Sequence, residues 1–240
     1  MDYEIMMNSN VKIGMYAPDF EADTTMGKIS LNQFKGKWLV LFSHPGDFTP
    51  VCTTEIIAFS KMNTYFEKLN TCLLGLSVDS NSSPLAWVYD IFCKTGVRVP
   101  FPIIADRNGQ IARKYGMISN DISTTETVRN VFIIDDKGII RVILVYPMNV
   151  GRCIPEIIRI LEALQTSEKS KGAMPANWIP CQPIIKASPT NMGELEMRNE
   201  EIAKNRNGMS WYLSFKNPQQ CINAESETKK IEEGNKKSKS

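Results

Sequence analysis

The residue best placed for chemistry is a cysteine near the start of a helix. In residues 42–55, FSHPGDFTPVCTTE, Thr49 suits a helix N-cap and Pro50 the first helical position, so Cys52 falls at the third. Backbone N–H groups in a first turn lack intrahelical acceptors, and the positive end of the helix dipole lies there. Both favour a thiolate, the form of cysteine that attacks electrophiles. Thr49, one turn back, offers a hydroxyl to the sulfur or to a bound oxygen, and Pro45 and Pro50 stiffen the loop against water. A cysteine without such neighbours would read as a small apolar residue.

Those residues need a scaffold, and the flanking pattern supplies one. The apolar run at 38–43, WLVLFS, reads as a buried strand, while Ile56, Phe59, Met62, Phe66 and Leu69 recur at helical spacing after Thr49. A second apolar run covers 73–78, and Ser83-Pro84 opens a helix with Leu85, Val88 and Phe92 on one face. Residues 102–105 and 128–134 read as strands. The latter passes through the tight-turn sequence Asp135-Asp136-Lys137-Gly138 into 139–146, which predicts a hairpin. Ile157, Ile160, Leu161 and Leu164 mark a further helix. Alternating strands and helices that close on a hairpin predict an α/β domain with a mixed sheet over 9–168. SEKSKG at 167–172 reads as a polar linker to a smaller C-terminal module over 169–224, with a strand at 211–215. The last segment, 225–240, holds one apolar residue, Ile231, and its mixed lysines and glutamates predict a disordered, solvated tail.

Bulk composition narrows the function. A chain of 240 residues, 42% hydrophobic and 22% charged, can bury a sizeable core, and a net charge of +2 gives no footprint for nucleic acid or an anionic membrane. A small-molecule substrate is the simpler expectation. The first ten residues carry Asp2 and Glu4 and no apolar stretch, and the best apolar run, 138–146, is short and contains Arg141. A cytoplasmic protein without a membrane span is expected. Six cysteines spread evenly along the chain favour reduced thiols over a disulfide framework. With no CxxC pair and a single histidine, neither a metal nor a cofactor is expected.

Residues 42–55 closely resemble the active-site loop of the peroxiredoxins, whose core pattern Pro-x-x-x-Thr-x-x-Cys is matched by Pro45, Thr49 and Cys52. The resemblance continues through APDFEADTT, PFPIIADRNGQIARKYGM and LVYPMNVGR. It implies a thioredoxin-like fold with a mixed central sheet and a smaller C-terminal α+β extension. It also implies a thiol-dependent peroxidase that reduces hydrogen peroxide and organic hydroperoxides through a Cys52 sulfenic acid. A family arginine carries over to Arg129 in TVRNVFIID. That placement is physically apt, because a guanidinium beside a thiolate stabilises it and can hold peroxide oxygens with its fork of donors. By the same resemblance Glu55 orients Arg129, Arg152 in NVGRC matches a second pocket arginine, and His44 matches the histidine of the one-cysteine branch. There it would serve tuning or reductant access more than act as an essential base.

A sulfenic acid must be reduced by another thiol. Two-cysteine relatives keep that thiol in a Val-Cys-Pro segment, where this chain reads Ala173-Met174-Pro175. The resemblance therefore implies the one-cysteine type, an external thiol reductant such as glutathione or a thioredoxin-like protein, and a homodimer. A displaced resolving role for Cys181 stays open, whereas Cys72, Cys93, Cys153 and Cys221 read as core or incidental thiols. Phospholipid hydrolysis is the first competing function. It lacks a second histidine, has Asn32 where lipolytic relatives carry one, and finds only GLSVD, residues 75–79, as a nucleophile elbow. The second competitor is a redox sensor or oxidation-triggered chaperone, which would use the same cysteine.

Overall fold

A computed structural model describes residues 11–218, and its contacts form two compact units that divide between Ile154 and Pro155. The first unit holds a sheet of seven strands: β1 (Glu21–Thr24), β2 (Gly27–Ser30), β3 (Trp38–Ser43), β4 (Thr71–Ser77), β5 (Ile103–Ala105), β6 (Arg129–Ile134) and β7 (Ile140–Tyr146). Helices α1 (Pro50–Lys68), α2 (Ser82–Thr95) and α3 (Gln110–Lys114) connect them. The spatial order is β2-β1-β5-β4-β3-β6-β7, with β3, β4 and β5 parallel and the remaining pairings antiparallel, so the sheet is mixed as expected.

Central strand β3 is buried at all six positions, which is why it reads as an unbroken apolar run. Leu39 and Leu41 join Leu74, Leu76, Phe132, Ile134 and Tyr115 in a core cluster. Phe42, of opposite parity on the strand, stacks on Phe59 of α1 with ring centroids 4.2 Å apart. A fully buried phenylalanine contributes about 1.5–3 kcal/mol, so Phe59 and Phe66 anchor α1 along its length. The antiparallel register Phe42↔Val131 brings the end of β3 beside the start of β6. The loop that leaves Ser43 therefore runs next to Arg129 and Asn130.

The second unit contains α4 (Ile154–Ser170, its first residue grouped with the first unit), β8 (Gly172–Ala173), β9 (Ile184–Lys186), α5 (Met192–Asn205), β10 (Gly208–Ser210) and β11 (Leu213–Lys216). Its strands form an antiparallel sheet in the order β10-β11-β9-β8. Three expectations are corrected. SEKSKG is no linker, because α4 continues to Ser170 and Ser167 donates its hydroxyl to the Gly172 carbonyl at 2.7 Å. The units divide at 154/155, earlier than the expected 168/169, since α4 groups with the second. The last strand starts at Leu213, with Trp211 and Tyr212 in the preceding turn. Helix α5 left no apolar signature because none of its residues is buried; Asn191 caps it by accepting the Glu194 N–H at 3.0 Å. Residues 1–10, Cys221 and the tail at 225–240 lie outside the described residues. Among the described residues no helix is long and apolar enough to cross a membrane.

Candidate active site

Helix α1 starts where its sequence pattern places it. Thr49 is an extended N-cap with φ −96° and ψ 148°, Pro50 follows at the first position, and Cys52 lies in the first turn, fully shielded from solvent. Thr49 departs from expectation in what its hydroxyl can do. It donates its one proton to the Gly46 carbonyl at 2.9 Å, so toward the sulfur or a bound oxygen it can only accept. Pro45 is buried against water, whereas Pro50 is exposed.

Behind the sulfur, two arginines share one carboxylate. Arg129, at the start of β6, donates from Nη1 to Cys52 Sγ at 3.3 Å and to Glu55 Oε2 at 2.7 Å. Its Nε and Nη2 donate to the Met148 carbonyl at 2.9 and 2.5 Å, which leaves one Nη2 hydrogen without an acceptor among the described residues. Arg152 grips Glu55 with its backbone N–H and Nε to Oε1, both at 2.8 Å, and with Nη2 to Oε2 at 2.7 Å. Its Nη1 donates to the carbonyls of Ser43 and Asn130, at 2.8 and 2.9 Å. All three side chains are at most 3% exposed. Burial alone would raise the Glu55 carboxyl, but hydrogen bonds and charge from Arg152, with Arg129 behind it, hold it below the ordinary range. Burial pushes the Arg152 guanidinium down, opposed by Glu55. Two guanidiniums against one carboxylate leave an excess positive charge beside the Cys52 sulfur.

His44 occupies a separate niche at the loop start. Its ring is buried, with Nε2 hydrogen-bonded to Asp47 Oδ1 at 2.9 Å and the Trp87 ring centroid 5.1 Å away. No hydrogen bond joins that ring to Cys52 among the described residues. Trp87 Nε1 donates to Thr53 Oγ1 at 3.2 Å, and Asp47 N–H donates to Asp79 Oδ2 at 3.0 Å. Asp47, Asp79, Trp87 and Ser43 are supports that sequence reasoning missed; Asp47 and Ser43, inside the loop motif, carried the available signal. His44, Asp47 and Asp79 each bring a metal-type ligand atom within 4.8 Å of the others. His44 Nε2, Asp47 Oδ1 and Asp79 Oδ2 are already engaged in the two hydrogen bonds just described, which fits a loop support better than a metal centre.

The other thiols differ from Cys52. Cys72 on β4 is half-buried against the core cluster, and burial pushes its thiol up; Cys93 on α2 and Cys153 before α4 are exposed. Cys181 is half-buried in a turn, with φ 73°.

A shielded cysteine on a first helical turn, faced by paired arginines beside the end of β3 in a mixed sheet, defines a thiol-based redox enzyme of thioredoxin-like fold. Residues 13–143 match the AhpC/TSA family, and residues 163–195 match the C-terminal domain of 1-Cys peroxiredoxin. Peroxiredoxin 2 of Caldanaerobacter subterraneus is 55% identical over 205 residues, covering 85% of this chain and 92% of that protein. Yeast mitochondrial 1-Cys peroxiredoxin superposes with a TM-score of 0.75 at 40% identity, covering 86% of this chain and 99% of the other. A cysteine-to-serine mutant of peroxiredoxin 6 from Arenicola marina gives a TM-score of 0.76 at 33% identity, covering 88% and 99%. The chain belongs to the AhpC/TSA family, as a peroxiredoxin of the one-cysteine branch. Its activity is that of a thiol peroxidase.

Proposed function

We propose that Cys52 is the peroxidatic nucleophile, acting on hydrogen peroxide and organic hydroperoxides. The observation that carries this reading is the Arg129 donor 3.3 Å from its sulfur, within a buried cluster that is one negative charge short. The thiolate attacks one oxygen of ROOH, an S–O bond forms as the O–O bond breaks, and the departing RO⁻ takes a proton to leave as alcohol or water. In this reading the unassigned Nη2 hydrogen of Arg129 holds the developing negative oxygen, while Thr49 Oγ1 accepts from the O–H of the peroxide. Pro45 closes the loop wall, Glu55 and Arg152 keep Arg129 in place, and His44 shapes the loop from its own niche.

Recycling falls to a foreign thiol in this reading. That thiol condenses with the sulfenic acid, releasing water and forming a mixed disulfide, which a second thiol cleaves. Met174 in the resolving position supports this, and the yeast neighbour is described as resolved through glutathione and thioredoxin systems. The one-cysteine C-terminal match supports a homodimer, and six cysteines spread along the chain with no disulfide-framework spacing fit a cytoplasmic setting. A pure sensor or oxidation-triggered chaperone is the less favoured use of the same cysteine.

The deciding experiment combines peroxide turnover with intact mass and non-reducing electrophoresis of wild type, Cys52→Ser and Cys181→Ser. Catalytic turnover with thiol reductant, abolished by Cys52→Ser and kept by Cys181→Ser, is expected, with a sulfenic or over-oxidised Cys52 and no obligatory disulfide. A quantitative Cys52–Cys181 link would end the one-cysteine assignment and spare the peroxidase. A single oxidation without turnover would favour the sensor.

A further inference from the structure

The loop between β3 and α1 is held from outside at few points. His44 N–H donates to the Leu76 carbonyl at 3.0 Å, extending the pairing of β3 with β4, and the Thr127 hydroxyl donates to the His44 carbonyl at 2.8 Å. Past His44 the backbone is held by Asp47 N–H, which donates to Asp79 Oδ2 at 3.0 Å. That hold depends on one side chain, placed just beyond the end of β4. The next residue, Phe48, has φ 56°, a left-handed conformation unfavourable for a bulky residue that persists only where neighbours fix it. Asp47 in turn takes the ring of His44 at 2.9 Å. One carboxylate from outside the loop thus fixes the backbone at Asp47 and, through Asp47, the histidine.

We propose that Asp79 is a positioning residue for peroxide reduction. By accepting the Asp47 N–H, it sets the loop geometry in which Thr49 presents its lone pairs and Cys52 meets Arg129. Asp79 has no contact with Cys52, Thr49 or Arg129 among the described hydrogen bonds, so it acts through the loop. The proposal rests on the reading of Cys52 as the nucleophile.

The test compares Asp79→Ala and Asp79→Asn in the full chain. Asparagine keeps an oxygen that can accept the Asp47 N–H and removes the charge, whereas alanine removes both. Two readouts are taken: kcat/KM for hydrogen peroxide, and the pH profile of Cys52 alkylation by iodoacetamide measured without peroxide. Asp79→Ala is expected to lower kcat/KM about tenfold, the scale of one lost hydrogen bond to a charged group. Its alkylation profile moves to the alkaline side, and Asp79→Asn recovers wild-type behaviour in both readouts. Wild-type values in Asp79→Ala would overturn the proposal, as would equal impairment of both variants, which would point to the charge. Should Asp79→Ala not fold, hydrogen exchange at the Asp47 amide decides. Protection of that amide in the wild type upholds the tether, and exchange at the rate of an open loop overturns it. A wild type that alkylates at Cys52 but turns over no peroxide would defeat the peroxidase reading, leaving the Asp79 outcome to alkylation and exchange.

Discussion

On one side of the Cys52 sulfur stand Glu55, Arg129 and Arg152, three buried charges whose donors and acceptors are almost all matched to one another or to backbone carbonyls. On the other side the loop from His44 to Thr49 is shaped by neutral backbone groups, one histidine–aspartate pair and single hydrogen bonds. The first support is over-determined: Glu55 receives four hydrogen-bond donors, so no one of them alone decides where it sits. The second can be undone one bond at a time. Loss of a charge should therefore damage stability and chemistry together, while loss of a loop contact should damage chemistry more than stability.

The sharpest way to break that contrast is Glu55→Ala. It strips two buried guanidiniums of the carboxylate they share, and removal of one partner from a buried ion pair costs about 3–5 kcal/mol. A large fall in the thermal midpoint, with loss of peroxidase activity, is expected by calorimetry. A variant as stable as wild type would mean the cluster is hydrated and the contrast false. Arg129→Lys comes next. A point charge replaces the fork that holds Glu55, Met148 and the sulfur together, and kcat/KM should fall about a hundredfold. Stability should fall less than in Glu55→Ala, because Arg152 still pairs with the carboxylate.

On the loop side, Thr49→Val removes the oxygen proposed to accept from the peroxide, and the bond to Gly46 with it. About a tenfold loss in kcat/KM with a nearly unchanged melting temperature is expected, restored by Thr49→Ser. Equal losses of stability in Thr49→Val and Glu55→Ala would erase the distinction between the two supports. The smallest effect is in acid. Glu55 titrates below its ordinary 4.5 in the folded protein, so its stabilisation is fully present above 4.5 and disappears as the pH falls through the folded value. Urea melts of wild type should therefore lose stability below that pH, and Glu55→Gln should show a flatter acid limb.

The two supports also differ in how far they could be read from the chain. Thr49, Pro50 and Cys52 were legible because capping and the first-turn position are local matters, decided within four residues. Strands β3 and β6 were legible from their apolar runs, and the hairpin into β7 from its turn residues. Helix α5 was not, since a helix without buried residues shows no apolar stripe. Arg129, Arg152 and Glu55 were marked by family resemblance alone, and nothing local could say that both arginines would close on the same carboxylate. Trp87 carried no mark at all, and Asp79 only its place at the end of GLSVD, where nothing pointed to the loop.

By itself, the sequence determined that this protein has a reactive-type cysteine at a helix start on an α/β scaffold, because caps, periodicity and turns are short-range. Only the tertiary structure decided what surrounds the sulfur. Arg129 lies 77 residues from Cys52 and Arg152 lies 97 from Glu55, so their meeting depends on β3 pairing with β6 and on the turn of chain after β7. Contacts across that separation follow sheet register, which is fixed by the packing of the whole core and by no single stretch of the chain.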